Sequence, residues 1–159
     1  MGQYRHSRAI EASIIDYIEQ ELIGNWENVA VEKTFAKIYK ISLPSICIRL
    51  SDTTHPKVEL GSTATTRTPL ILIDLFCDND GQRLDLKDFL VEILKGGLPY
   101  YKYTIAGGQV TNKVQDGRIR IISIADTPID LGIDKDKLEL RDRYRHLLTL
   151  SISLGKVEE

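Results

Sequence analysis

Three charged residues have a spacing that could support phosphodiester chemistry. Asp74, Asp85 and Lys87 follow the order seen in metal-dependent nucleases, in which two carboxylates hold Mg²⁺ and a lysine assists the attacking water. That chemistry requires Asp85 and Lys87 to lie on a strand beside the strand of Asp74. The residues around Asp85 instead have the periodicity of a helix, with Asp85 and Lys87 on its polar side. A small metal-dependent nuclease is therefore an alternative function rather than the expected one.

The sequence DNDG, at positions 78–81, resembles a fragment of a calcium-binding loop. When Asp78 and Asp80 are placed at the third and fifth loop positions, Gly81 falls correctly at the sixth. Phe76 then occupies the first ligand position and Lys87 the twelfth, which needs a bidentate carboxylate. Because too few oxygen ligands remain, we expect a turn that caps a helix rather than a metal site.

The histidines and cysteines provide no further catalytic pattern. His6, His55 and His146 have no partner at metal-ligand spacing, and none is paired with a serine or cysteine in a nucleophile motif. Cys47 and Cys77 lie in apolar runs and are expected to be buried free thiols. We therefore predict no catalytic residue, metal site or cofactor, and a protein that is not an enzyme.

The elements that would position these residues alternate between helices and groups of strands. Apolar residues recur at helical spacing over residues 7–23 and again from the turn at 78–81 to residue 94. Strand patterns occupy most of the rest, with a possible short edge strand at KVEL (57–60) and a hairpin arm at 107–117. This order predicts an α+β fold: a mostly antiparallel sheet with two amphipathic helices packed on one face.

Length, charge and hydropathy limit the classes of protein. A chain of 159 residues is the size of one domain, and we predict a single domain over 1–159. The net charge of −2 disfavours a general nucleic-acid binder, which usually has a basic excess. No apolar run is long enough to cross a bilayer, and the N-terminus lacks the pattern of a signal peptide. We therefore expect a protein made in the cytoplasm, with no membrane partner.

Two strand patterns are unusual for a small monomer. Residues 70–77 are apolar on both faces and are interrupted only by Asp74, whereas a half-buried strand should alternate. The last pattern, YRHLLTLSISL at 144–154, predicts a strand of about 36 Å, at about 3.3 Å per residue, whose second face is polar but hardly charged. An uncharged surface of this kind is suited to association.

With these segments in view, the chain resembles the tail terminator proteins of long-tailed bacteriophages. The resemblance covers nearly the whole chain in element order, and it rests on KVELGS (57–62), TPLILIDLF (68–76) and RDRYRHLLTLSISL (141–154). It implies a virion protein that forms a ring, typically hexameric, at the head-proximal end of the tail tube. The implied partners are copies of the chain, the tail tube protein and the head-completion or connector protein, with DNA only passing through the lumen. Other neck, connector or baseplate components remain alternatives.

A ring requires surfaces that contact both neighbours, and the sequence offers candidates of two kinds. Alternating arginines within the charge-dense segment at 134–145 would point the same way along an extended chain, and Glu59 could pair with such an arginine in a neighbouring subunit. The apolar strand at 70–77 could cover either a helix or a neighbouring subunit. The predicted interface residues are Glu59, Arg67, Leu70, Leu72, Phe76, Arg141, Arg143 and Arg145.

Overall fold

The computed structural model describes residues 2–32, 44–129 and 144–158. Two helices and nine strands lie in these ranges. In chain order they are β1 (Gly2–Gln3), α1 (His6–Leu22), β2 (Ala30–Glu32), β3 (Ser45–Thr54), β4 (Thr65–Thr66), β5 (Thr68–Phe76), α2 (Asp80–Leu94), β6 (Leu98–Ala106), β7 (Gln109–Pro128), β8 (Arg145–Ser153) and β9 (Val157–Glu158).

Seven of the strands form one sheet, in the order β1-β6-β7-β8-β5-β3-β2, and β4 pairs separately with β9. Every pairing among the described residues is antiparallel except that of β2 with β3. The central strands β5 and β8 pair over seven consecutive residue pairs, from Leu70 opposite Ser151 to Phe76 opposite Arg145. The predicted α+β class, with its mostly antiparallel sheet, is confirmed.

Helix α1 contacts strands near both ends of the sheet. It packs on β6 near one end and on β3 and β2 at the other, although β7, β8 and β5 lie between them in the sheet. The sheet must therefore curl around the helix. Ile10, Ile14 and Ile18 are fully buried on this side of α1, where they join the core.

Polar residues of α1 also satisfy backbone groups at the two ends of the sheet. The backbone N–H of Tyr101, in β6, donates to Ser13 Oγ at 3.0 Å, and that of Leu50, in β3, donates to Glu11 Oε1 at 3.2 Å. Each of these N–H groups points to the side of its strand where no other strand is paired at that position. A buried donor without a hydrogen-bond partner would lower the stability of the fold. One helix thus covers both edges of the sheet that β1 and β2 leave unpaired at these positions.

Helix α2 begins at a capped turn and covers the centre of the sheet. The side chain of Asn79 accepts a hydrogen bond from Gln82 N at 2.8 Å, which satisfies one unpaired donor of the first turn. Leu86, Leu90 and Leu94 are fully buried in the same core cluster as the isoleucines of α1. Both helices therefore pack on one face of the sheet, as the sequence predicts, and DNDG is a turn with a helix cap.

Strand β7 is longer than its sequence pattern indicates. The hairpin arm is confirmed, but its turn consists only of Gly107 and Gly108, both at positive φ, and the strand continues through the whole arm to Pro128. The first half of β7 pairs with β6, and the second half pairs with β8. At 20 residues it exceeds the 9 residues of β8, the strand that the sequence singles out for length.

The proposed edge strand at KVEL is not formed. Only Lys57 makes an isolated bridge, to Thr65, and the residues after it form a turn. The strand predicted at the C-terminus is present, although it covers Arg145–Ser153 rather than residues 144–154. Turn residues and charge runs also predict a connection over residues 126–142, but residues 126–128 belong to β7, and residues 130–142 lie outside the described residues.

The bond from Tyr101 N to Ser13 gives a direct test of the role of α1. We expect Ser13→Ala to lower the free energy of unfolding by about 1–3 kcal/mol, because it leaves a buried N–H without an acceptor. The measurement is urea unfolding followed by circular dichroism. Gln20→Ala, on the exposed side of α1, is the control and should change stability by no more than about 0.5 kcal/mol. A Ser13→Ala loss as small as that of the control would show that the edge of β6 does not depend on this helix.

Candidate functional site

Side chains of the central strands alternate between the two faces of the sheet. Ile71, Ile73 and Leu75 of β5 point toward the helices and are fully buried. The remaining side chains form what we call the second face. It includes Ser45, Cys47 and Arg49 of β3, Leu70, Leu72, Asp74 and Phe76 of β5, Arg145, Leu147, Thr149 and Ser151 of β8, and Ser123, Ala125 and Thr127 of β7.

The second face is buried at one end and partly exposed at the other. Ser45, Cys47 and Phe76 have no exposed area, whereas Leu70 and Leu72 are partly exposed. Among the described residues, neither helix packs on this face, because both contribute to the core on the opposite side. The exposed end is therefore a surface of mostly uncharged side chains on four paired strands, and Arg49, opposite Leu72, is its charged member.

A buried ion pair lies at the closed end of the second face. Asp74 is 3% exposed, with Arg145 Nη2 at 3.4 Å from Oδ1 and Arg49 Nη2 at 3.8 Å from Oδ2. The Arg145 guanidinium also lies over the Phe76 ring, 4.8 Å from its centroid. Burial raises the pKa of Asp74, and the two arginines only partly oppose this shift. Desolvation of the carboxylate thus outweighs its ion pairs.

The structure does not bring together the residues of the nuclease alternative. Asp74 is on the second face, whereas α2 packs on the other side of the sheet. Asp85 is exposed on α2, and Lys87 is directed to Asp88 and Asp126 at 2.9 and 3.6 Å. Because the sheet lies between Asp74 and Asp85, the two carboxylates cannot ligate one metal ion.

A second polar cluster lies on the helix side of the sheet, around His146. Arg83 Nη1 donates to His146 Nδ1 at 2.7 Å, and His146 Nε2 donates to Asp126 Oδ1 at 2.8 Å. An arginine cannot accept a hydrogen bond, so Nδ1 is the acceptor and the imidazole proton is on Nε2. The bond from His146, and then the charge of Lys87, lower the pKa of Asp126. This cluster fastens α2 to β7 and β8.

Arg67 is engaged within its own chain. Its guanidinium donates two parallel hydrogen bonds to Glu158, both at 2.9 Å, and a third bond to Ser7 Oγ at 2.8 Å. The bonds from Arg67 lower the pKa of Glu158. The same carboxylate is 3.6 Å from His6 Nε2. The arginine therefore joins the strand pair β4–β9 to the first turn of α1.

Glu59 lies in an exposed loop at 57–65, which we call the knob loop. Ser62 N donates to the carbonyl of Glu59 at 3.3 Å, and Gly61 adopts φ +81° inside this turn. Val58 N donates to the carbonyl of Ala64 at 3.0 Å, so both sides of the loop are held. Leu60, at the tip, is fully exposed; it belongs to KVELGS (57–62) but is not among the residues predicted from the sequence to form the interface.

The predicted interface residues are thus divided among several surroundings. Leu70, Leu72, Phe76 and Arg145 share the second face, but Phe76 and Arg145 are at its buried end. Arg67 and Glu59 are elsewhere, at the base and tip of the knob loop. Arg141 and Arg143 lie outside the described residues. The interface role of all eight stays a prediction.

Two further observations concern binding and location. In the described part of the chain, no group of three or more His, Cys, Asp or Glu side chains is arranged to hold a metal ion. No helix within the described ranges is both long and apolar enough to cross a bilayer. A comparison of the chain with protein-family models and with curated protein sequences finds no match.

The buried carboxylate leads to a prediction about stability. We expect Asp74→Asn to leave the free energy of unfolding at pH 7 unchanged or to raise it, because the pKa of Asp74 is raised and its charged form opposes folding. Wild-type protein should therefore gain stability, relative to the variant, as the pH falls through the folded pKa. Urea unfolding between pH 7 and pH 4 measures both quantities. A loss above about 1 kcal/mol at pH 7 would show that the arginine pairs outweigh burial.

The ionised carboxylate of Asp126 should stabilise the fold, in contrast to that of Asp74. Its pKa is lowered, so its contribution to stability is present above the unfolded pKa and is lost as the pH falls through the folded value. We expect Asp126→Asn to lower stability at pH 7 and to reduce the decline in stability below pH 4. Urea unfolding extended to about pH 2, below the folded pKa of Asp126, tests this prediction, with Asp85→Asn on the exposed side of α2 as the control. A decline in stability below pH 4 that is as steep in Asp126→Asn as in the wild-type protein would contradict the prediction.

Proposed function

We propose that this protein is a non-enzymatic virion component that forms a ring, hexameric by family resemblance, at the head-proximal end of a bacteriophage tail tube. The observation that carries the proposal is the partly exposed end of the second face, whose side chains are mostly uncharged, with Arg49 as the charged exception. Leu70, Leu72, Thr149 and Ser151 present aliphatic and hydroxyl groups there, on strands held rigidly by pairing on both sides.

Such a surface favours a neighbouring subunit over water. Burial of apolar area contributes about 25 cal/mol per Å², and hydroxyl groups lose less on burial than charged groups do. A paired strand also has little conformational freedom left to lose when a neighbour docks. Contacts that repeat head-to-tail and close produce a ring.

The hairpin arm adds a second means of reaching a neighbour. On the β7 side of its Gly107–Gly108 turn the arm is exposed over residues 109–115, and Val110 and Val114 are about half exposed there. An arm of this kind can lie on an adjacent subunit or on the tube below. In the proposed function, one side of the ring occupies the last tube ring and stops polymerisation. The other side contacts the connector, and DNA passes through the lumen.

Tail assembly in the absence of the protein tests the function. We expect tails of irregular excess length that do not join heads, because nothing ends polymerisation or offers the connector a surface. Electron microscopy measures both length and joining. Tails of normal length that fail to join heads would favour another neck component, and normal particles would exclude both.

A pair of charge substitutions tests the second face. Leu72→Lys with Thr149→Lys, at directly paired positions, should leave the monomer folded by circular dichroism but abolish rings on tails. Leu84→Lys is the matched control, because Leu84 is 45% exposed on α2, on the opposite side of the sheet. Rings that form normally with the double variant would remove the second face from the interface.

A further inference from the structure

The knob loop carries an apolar tip that its own domain does not cover. Leu60 is 101% exposed and Val58 is 53% exposed, although the turn between Glu59 and Ser62 is hydrogen-bonded. A single exposed leucine is ordinary in a soluble protein. This one is presented on a fixed turn, so little conformational entropy would be lost on docking.

An apolar groove lies at the C-terminal end of α1. It has a volume of about 540 Å³, and Leu22, Trp26, Val29 and Val31 are among its lining residues. Ile23, in the same lining, is 77% exposed. Trp26 is supported from behind by Phe89, with ring centroids 6.2 Å apart. A tryptophan in an apolar depression is the kind of residue that dominates protein interfaces.

The knob loop and the groove are at opposite ends of α1. The base of the knob loop is attached to the first turn of the helix by the bond from Arg67 to Ser7. The groove begins at the last turn, and a helix of 17 residues is about 26 Å long. The knob of one copy can therefore reach only the groove of another copy.

Charge is separated along the same axis. Residues 9–32, which contain most of α1 and the groove, include six acidic residues and no Lys, Arg or His. Among the described residues, Glu19, at the groove, has no ion-pair partner, and its pKa is raised by burial and then by Asp16 and Glu32. At the other end, Arg5 and the knob-loop residue Lys57 also have no ion-pair partner within the described part of the chain.

This arrangement opposes the dipole of α1. Acidic side chains are favourable at a helix N-terminus and basic ones at the C-terminus. The first turn of α1 has no acidic residue and its last turn no basic one. The charges are thus unfavourable within one copy but complementary between the two ends of successive copies.

We propose that the knob loop of one copy docks in the groove of the next, with Leu60 and Val58 in the groove and Lys57 beside Glu19. The contact is heterologous, so it repeats around an assembly rather than pairing two copies. The inference rests on the ring-forming function proposed above and names one of its contacts.

Cysteine cross-linking tests the contact. Leu60→Cys and Ile23→Cys are made in separate proteins, and a disulfide requires Cα atoms within about 7 Å. Native thiols should not interfere, because Cys47 and Cys77 are buried and burial raises their pKa values to about 11 and about 12. We expect a covalent dimer when the two variants are mixed and oxidised mildly, and none from either variant alone.

The doubly substituted protein distinguishes the modes of association. Head-to-tail docking predicts a ladder of linked species that ends at the closed ring, whereas a ladder that stops at the dimer would overturn repeated docking. Added salt should slow cross-linking, because opposite charges guide the encounter. Ile23→Cys mixed with Leu84→Cys is the control and should give no product.

The same variants on assembled tails separate this inference from the proposed function. Rings on tails without any mixed cross-link, either there or in the free protein, would overturn the knob-and-groove contact and leave the function standing. Tails without rings would overturn the function, and the cross-links of the free protein would still decide the contact. Exchanging the charges, with Lys57→Glu in one protein and Glu19→Lys in the other, should restore the product that either change alone reduces.

Discussion

The fold depends on the way in which helix α1 holds the two ends of one curled sheet. Its isoleucines fill the core, and two of its polar side chains accept hydrogen bonds from strands that are separated by three others in the sheet. An open sheet of this size would otherwise leave edge donors facing an apolar interior, at a cost of about 1–3 kcal/mol for each buried group. Because Ser13 and Glu11 bind strands at both ends of the sheet, the curl of the sheet and the position of the helix depend on each other.

Charged side chains have different surroundings on the two faces of the sheet. On the helix side, both ring nitrogens of His146 have a hydrogen-bond partner, Arg83 as donor and Asp126 as acceptor. The partly exposed Asp126 also lies near Lys87. On the second face, Asp74 is almost completely buried, and among the described residues its Oδ2 has no hydrogen-bond partner. The first cluster contributes to stability through hydrogen bonds. The second retains a carboxylate for which desolvation exceeds the attraction of two arginines.

Charge and exposed apolar surface are distributed unevenly between the two ends of α1. The carboxylates of α1 lie mostly toward the groove, whereas Arg5 and Lys57 lie toward the first turn of the helix. The knob loop is held by backbone hydrogen bonds, and Leu60 at its tip is fully exposed. The stability of one copy does not explain these features or the mostly uncharged end of the second face, and the contacts proposed above would account for them.

Helix position and strand face could be predicted from the sequence, because periodicity is a local property. The apolar spacing of α1 and α2, the turn at DNDG and the alternation of β8 all follow from neighbouring residues alone. Predictions that depended on sheet edges and on strand pairing were less accurate. The edge strand at KVEL is a turn, because a strand needs a partner along its length and only Lys57 has one.

The candidate site shows the same division. The sequence marks residues 70–77 as apolar on both faces, but it cannot tell that Phe76 is covered while Leu70 and Leu72 remain partly exposed. It contains Arg67 and Glu158, yet 91 residues separate them along the chain, and only folding forms their paired bonds. Composition and periodicity decide which face of an element is apolar. What lies against that face, and which charges meet across it, is decided by the tertiary structure, because those energies depend on distance and burial rather than on order in the chain.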